Sequence, residues 1–202
     1  MFSVPQAIVG EAWWQPYQAA TPHEAMQLPV VLVLASGRGE RYMASGGSTP
    51  KLMADLGGKT VLARTLDAVR ASGLCWHLED VGHPGMGDSI AAAVRSTSSA
   101  PGWMVLPADL PLVQPHTLLK IARAPLGASA VLVPVVEGQR GHPVRFAPVC
   151  GAALENLEGN RGAAPVVRAQ TAIEMIVDDA GCVMDIDTVA DLQRAQAWLQ
   201  QR

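Results

Sequence analysis

The regular part of the chain begins with an apolar run. L-P-V-V-L-V-L-A, from Leu28, is continuous and β-branched, the pattern of a strand buried on both faces of a parallel sheet. W-M-V-L at 103–106 and S-A-V-L-V-P-V-V at 129–136 repeat it. Between them the period changes. Val61, Leu62, Leu66 and Val69 share one face of a helix predicted over Thr60 to Ser72. An alanine-rich stretch from Gly87 to Ser98 and a proline-led one from Pro115 to Ala124 read as helices. Trp76 to Val81 reads as a short strand. G-Q-R-G at 138–141 reads as a hairpin turn returning through H-P-V-R-F. Short helices are expected at Ala152–Leu157 and Gly162–Ala169, and short strands at Ile173–Val177 and Val183–Ile186. A final amphipathic helix spans about Val189 to Gln200, with Thr188 and Asp191 in capping-box spacing. Strands alternating with helices predict an α/β fold, a mostly parallel sheet with helices on both faces. Residues 1–27 show no period and carry Trp13, Trp14, Pro16, Tyr17 and Pro22. They read as an N-terminal arm on a single domain spanning 28–202. Paired tryptophans are costly to leave in water, so the arm is expected to dock on the domain or a partner.

Ligands of such sheets collect outside the carboxyl ends of the strands, which selects the loops after Leu34 and Leu106. The first is L-A-S-G-R-G-E-R-Y, Leu34 to Tyr42. Gly37 and Gly39 let the backbone turn and present N–H groups to an anion. A dinucleotide fingerprint needs glycine where Tyr42 stands, and no G-K-[ST] completes a P-loop. The loop carries Arg38 and Arg41, with Lys51 beyond Gly46-Gly47. Three cations there suit a nucleoside triphosphate. The second loop holds Asp109 in P-A-D-L-P, a carboxylate placed to hold Mg²⁺. Asp185 and Asp187 in D-I-D-T add an acidic pair that either completes a metal site or belongs to the cap of the last helix.

Composition narrows the classes. Of 202 residues 49% are apolar and 16% charged, which excludes a disordered chain. A net charge of −3 argues against a general nucleic-acid binder. No apolar run approaches the ~20 residues of a membrane span. Cys75, Cys150 and Cys182 are far apart, so neither a disulfide framework nor a zinc site is expected, and a reducing, cytoplasmic compartment is the simplest reading. The five histidines lack ligand spacing, and no G-x-S-x-G elbow announces a hydrolase triad.

In order, L-A-S-G-R-G-E-R with Lys51-Leu52, G-M-G-D-S-I at 85–90, P-A-D-L-P-L at 107–112, V-P-V-V-E-G-Q-R-G-H-P-V at 133–144, G-N-R-G-A at 159–163 and D-I-D-T-V-A-D-L at 185–192 resemble the MobA-like nucleotidyltransferases. The group they most resemble is the molybdenum cofactor cytidylyltransferase type. The resemblance implies a doubly wound, Rossmann-like sheet. It implies an NTP, CTP favoured, held by Ala35, Ser36, Gly37, Arg38, Gly39, Arg41 and Lys51, with Ser89 near the base or ribose. Lys51, Arg41 and Asp109 would be catalytic, Asp109 and Asp187 would hold Mg²⁺, and Arg140, Gly141 and His142 would face a phosphorylated acceptor such as molybdopterin cofactor. A molybdoenzyme or a second copy of the chain is the implied protein partner. Attack of the acceptor phosphate on the α-phosphorus releases pyrophosphate and needs no general base.

The chain departs from this family at Ser36, usually alanine, in the long Met43–Pro50 spacer, and at Asn160, often Asp. Only twelve residues separate Ser72 from Gly85, where the family places strand–helix–strand, so a compact fold lacking one βα unit is expected. Two other readings stay open: a sugar-phosphate nucleotidyltransferase, and a non-catalytic accessory protein that carries a nucleotide or cofactor to a molybdoenzyme. Tyr42 and the loop's cations argue against a nicotinamide-dependent oxidoreductase.

Overall fold

A computed structural model describes residues 18–37 and 39–201. Trp13, Trp14, Pro16, Tyr17 and Arg38 lie outside the described residues. The sheet has seven strands: β1 Val30–Leu34, β2 Trp76–Glu79, β3 Trp103–Pro107, β4 Val131–Val136, β5 Gln139–Arg140, β6 Val144–Phe146 and β7 Ala172–Ile176. The order runs β2-β1-β3-β6-β4, with β5 and β7 also paired to β4. β1 is parallel to β2 and β3, and β4 to β7. β6 lies antiparallel between β3 and β4, so those two point the same way. The sheet is therefore mostly parallel and mixed, as the strand–helix alternation requires.

Helices flank both faces because alternate residues of each strand point to opposite sides. Val31 and Val33 of β1, with Met104 and Leu106 of β3, pack against α3 (Val61–Ser72) and α5 (Pro115–Arg123). Leu32, Leu34, Trp103 and Val105 pack on the other side, against α4 (Met86–Ser96), α6 (Gly151–Glu155) and α7 (Ala164–Ala169). Thr60 caps α3 by accepting from the Ala63 N–H. The closing helix α8, Val189–Gln200, starts with the capping box expected of Thr188 and Asp191. Its Leu192 and Ala195 join Tyr42, Leu56, Leu112 and Ile186 in a third cluster. One strand, β2, lies between α3 and α4, with no helix in that interval.

Residues 18–27 are packed on the domain. The short helix α1, Pro22–Ala25, is capped by Thr21. Ala20 N–H donates to the Ser72 carbonyl, and Arg123 grips Glu24 at 2.7 and 2.9 Å.

Three local expectations are corrected. The segment Val183–Ile186 is not a strand, because its flanks find partners in loops: the Ile186 N–H donates to the Asp109 carbonyl and the His142 N–H to the Cys182 carbonyl. The hairpin turn lies at Glu137–Gly138, both at positive φ, and Gln139 and Arg140 already pair with β4. A helix, α2 Glu40–Ala44, forms across the end of the loop expected over Leu34–Tyr42 and the start of the Met43–Pro50 spacer. Among the described residues no helix is long and apolar enough to cross a membrane.

Candidate functional site

A cleft of about 670 Å³ opens at the carboxyl ends of β1 and β3. The loop after β1 forms one wall. Gly39 adopts a left-handed φ of 63° and starts α2; a Cβ there would come within 3.1 Å of the Lys51 Cβ. The bend at Gly39 thus lets Arg41 and Lys51 share one wall. Pro50 leads into a single 3₁₀ turn, Lys51–Met53, whose first side chain enters the cleft.

The loop after β3 brings Asp109 into the cleft, and the segment that follows the 3₁₀ turn Ala180–Cys182 brings Asp185 and Asp187. The Lys51 Nζ lies 2.6 Å from Asp109 Oδ2 and 3.1 Å from Asp187 Oδ1. Arg41 Nη1 takes the other oxygen of Asp187 at 2.7 Å. Asp109 Oδ1 is buried and has no hydrogen-bond partner among the described residues. Burial works against the Lys51 ammonium, but Asp109 and then Asp187 outweigh it and hold its pKa above the ordinary lysine value. At Asp185, desolvation first, then Asp187 and Asp109, push the carboxyl up.

The opposite wall is the β5–β6 connection. Arg140, Gly141 and His142 line it, and Arg140 also bonds Glu174 at 2.7 Å. His142 is largely buried, and its Nδ1 lacks a partner among the described residues. Burial pushes its pKa down, against smaller upward pulls from the Val105 carbonyl and Asp109, so the ring is neutral near pH 7.

The cleft therefore gathers Gly37, Gly39, Arg41, Lys51, Asp109, Arg140, Gly141, His142 and Asp187. Ala35, Ser36 and Ser89 lie beside it rather than on its lining. Ala35 N–H is bonded to the Glu79 carbonyl, and the Ser36 and Ser89 hydroxyls meet at 2.5 Å. Sequence reasoning missed Gln139, Cys182 and Val183 as lining residues. For Val183 the misread strand Val183–Ile186 hid the signal. The residues alone left Asp185 and Asp187 undistinguished, the resemblance chose Asp187, and both line the cleft.

Oxygen donors suit Mg²⁺ or Mn²⁺. No group of three His, Cys, Asp or Glu among the described residues stands in metal-holding geometry. The Lys51 ammonium occupies the gap between the two carboxylates. The open Asp109 Oδ1 and the all-oxygen donor set nevertheless fit a divalent cation held by Asp109 and Asp187.

Comparisons with known proteins bear on the family and the fold. Residues 70–174 match the model of the MobA-like NTP transferase domain. A 2-C-methyl-D-erythritol 4-phosphate cytidylyltransferase of Frankia casuarinae is 28% identical over 215 residues, covering 85% of this chain and 79% of the relative. The manganese complex of Rv0371C from Mycobacterium tuberculosis H37Rv superposes with a TM-score of 0.66 at 27% identity, covering 84% of this chain and 98% of that one. Molybdopterin-guanine dinucleotide biosynthesis protein A from Archaeoglobus fulgidus shares the fold, with a TM-score of 0.64 at 18% identity over 85% of this chain and 99% of that one. The family model spans more than half of the residues, including β3, Asp109 and the Arg140–His142 wall, and the chain belongs to the MobA-like NTP transferase family, a nucleotidyltransferase.

Proposed function

We propose that this nucleotidyltransferase moves a nucleoside monophosphate, CMP in preference, from an NTP to a phosphorylated small-molecule acceptor such as molybdopterin cofactor, releasing pyrophosphate. The observation that carries the reading is Lys51 held between Asp109 and Asp187 at the end of the glycine-bearing loop. Backbone N–H groups from Ser36 to Gly39, with Arg38, Arg41 and Lys51, bind the triphosphate, and Ala35, whose N–H is held by the Glu79 carbonyl, anchors the start of the loop. Ser89 positions the base side through Ser36. Arg140, Gly141 and the neutral His142 hold the acceptor. An oxygen of the acceptor phosphate forms the new bond to the α-phosphorus as the bond to pyrophosphate breaks. That oxygen is already anionic, so no side chain has to remove a proton. Lys51 and Arg41 neutralise the charge that builds on the phosphates, the main contribution a rigid cation can make here. Mg²⁺, held by Asp109 and Asp187, supplies further neutralisation when bound; the manganese complex of the mycobacterial relative supports a divalent ion.

Residues 1–27 act as an arm, which a molybdoenzyme or a second copy of the chain would engage, and 28–202 as the transferase domain. The free thiols Cys75, Cys150 and Cys182 support action in the cytoplasm. A second reading, a sugar- or polyol-phosphate acceptor, is favoured by the name of the Frankia relative. The accessory-protein reading loses its ground with the family match.

The test is pyrophosphate release with CTP, GTP, ATP or UTP and Mg²⁺, against molybdopterin cofactor and a panel of sugar and polyol phosphates. Release with CTP and one acceptor, lost in Asp109→Ala, is expected. Release with another base overturns the CTP preference, and none with any pair overturns the reading.

A further inference from the structure

We propose that the Lys51 ammonium is a resident cation in the divalent-metal position of the nucleotide-free enzyme, and that the triphosphate must draw it out before metal binds at full affinity. The inference rests on the nucleotidyl-transfer reading of the cleft. Its basis is geometric. One ammonium touches one oxygen of each carboxylate, at 2.6 Å on Asp109 and 3.1 Å on Asp187. The second oxygen of Asp187 is taken by Arg41 at 2.7 Å. Only Asp109 Oδ1 is left open in that pair of carboxylates.

The side chains of Lys51, Asp109 and Asp187 are 11%, 18% and 22% exposed, so water screens these charges weakly. A divalent ion bonded to both carboxylates would sit about 2.1 Å from an oxygen of each. The ammonium already fills that gap, and a second cation beside it would meet strong repulsion at short range. Metal and ammonium therefore exclude one another.

A triphosphate changes the balance. It brings several negative charges to the loop from which Lys51 and Arg41 extend. Both cations then have phosphate oxygens to bind, and three carboxylate oxygens are released together. Nucleotide and metal are thereby positively coupled, and each raises the affinity for the other by the same factor. The arrangement keeps the empty site from accumulating metal and fills it when substrate arrives.

The experiment measures Mn²⁺ bound to the full chain without nucleotide, by the electron paramagnetic resonance signal of the free ion. Wild type, Lys51→Met and Lys51→Gln are compared, with Arg140→Gln as a control for removal of a more distant cleft cation. Tightening of at least tenfold in both Lys51 variants, below threefold in Arg140→Gln, and lost when Asp109→Asn is added, is the expected result. The two Lys51 variants guard against one that fails to fold, and a melting curve identifies it. Unchanged or weaker Mn²⁺ binding in a folded Lys51 variant overturns the proposal. So does equal tightening in Arg140→Gln, which would assign the effect to net charge. Pyrophosphate release by the wild type separates the two ideas: turnover with no Lys51 effect defeats only the placeholder role, whereas no turnover with any acceptor defeats the transfer reading.

Discussion

The hydroxyls of Ser36 and Ser89 lie 2.5 Å apart across 53 residues of sequence and join the loop after β1 to the first turn of α4. Ser89 donates onward to the Gly85 carbonyl at 3.2 Å, so Ser36 is the donor between the two hydroxyls. Ser89 is fully buried. Ser89→Ala therefore removes the acceptor of the Ser36 hydroxyl and the bond to the Gly85 carbonyl, a loss of about 1–2 kcal/mol. The melting temperature is expected to fall by roughly 2–8 °C, at about 2–4 °C per kcal/mol for a chain of this size. Because the loop is one wall of the nucleotide site, KM for the NTP should rise about five- to thirtyfold if that energy is felt in binding. Steady-state kinetics beside a melting curve checks this. A lower melting temperature with unchanged KM would show that the pair supports the fold alone.

Asp109→Asn separates charge from shape at the floor of the cleft. The Asp109 backbone carbonyl still accepts from the Ile186 N–H, so the 182–187 segment keeps that anchor. What is lost is the anion facing Lys51 at 2.6 Å. Turnover should fall at least ~100-fold, the scale on which one preorganised electrostatic group acts in a closed site. Pyrophosphate release measures it, with circular dichroism to show retained structure.

How much of this was readable in the sequence depends on what fixes each feature. Strands β1, β3 and β4 were legible because both of their faces are buried, which writes an unbroken apolar run such as Val31 to Leu34. The capping box of Thr188 and Asp191 was legible because a span of four residues contains it. The meeting of Lys51 with Asp109 across 58 residues was not set by any local spacing; only the fold brings them together, and the family resemblance named both residues without that geometry. Val183–Ile186 was misread because its apolar residues look like a strand while the hydrogen bonds at Ile186 and Cys182 go to the Asp109 and His142 backbones. α2 was overlooked because glycine and serine around it masked a five-residue helix.

Glu79 provides a pH prediction. Its carboxyl is 6% exposed at the end of β2 and meets His83 at 3.1 Å and His77 at 3.3 Å. Burial pushes its pKa up, but His83 and then His77 more than reverse this, so it lies below the ordinary 4.5. The folded chain thus binds this proton less readily than the unfolded chain. The stabilisation is fully present above pH 4.5 and is lost as pH falls through the lower folded value. The melting-temperature gap between wild type and Glu79→Gln should be widest above pH 5 and should close on acidification toward pH 3. A gap independent of pH over that range would show that charge on Glu79 plays no part.

Two glycines distinguish damage to the fold from damage to the site. A Cβ on Gly181 would lie 2.2 Å from the Leu112 carbonyl oxygen, an overlap that only backbone movement relieves. Its N–H also bonds Asp179 Oδ1 at 3.0 Å, while Asp179 Oδ2 accepts from the Gln114 N–H at 2.9 Å. Gly181→Ala should therefore push the turn before Cys182 away from the loop that leads into α5, costing about 3 kcal/mol or more, at or above the upper end of core overpacking because the clash is with backbone. At about 2–4 °C per kcal/mol this is a loss of roughly 6 °C or more in melting temperature. Gly37 meets nothing within 4 Å and has no positive φ, so Gly37→Ala should leave the melting temperature within about 2 °C of wild type. Its methyl would instead stand in the loop where the phosphates approach, and KM for the NTP should rise with little change in stability. The contrast is read by pairing melting curves with nucleotide titrations. If Gly37→Ala bound nucleotide as wild type does, the β1–α2 loop would not be the phosphate cradle.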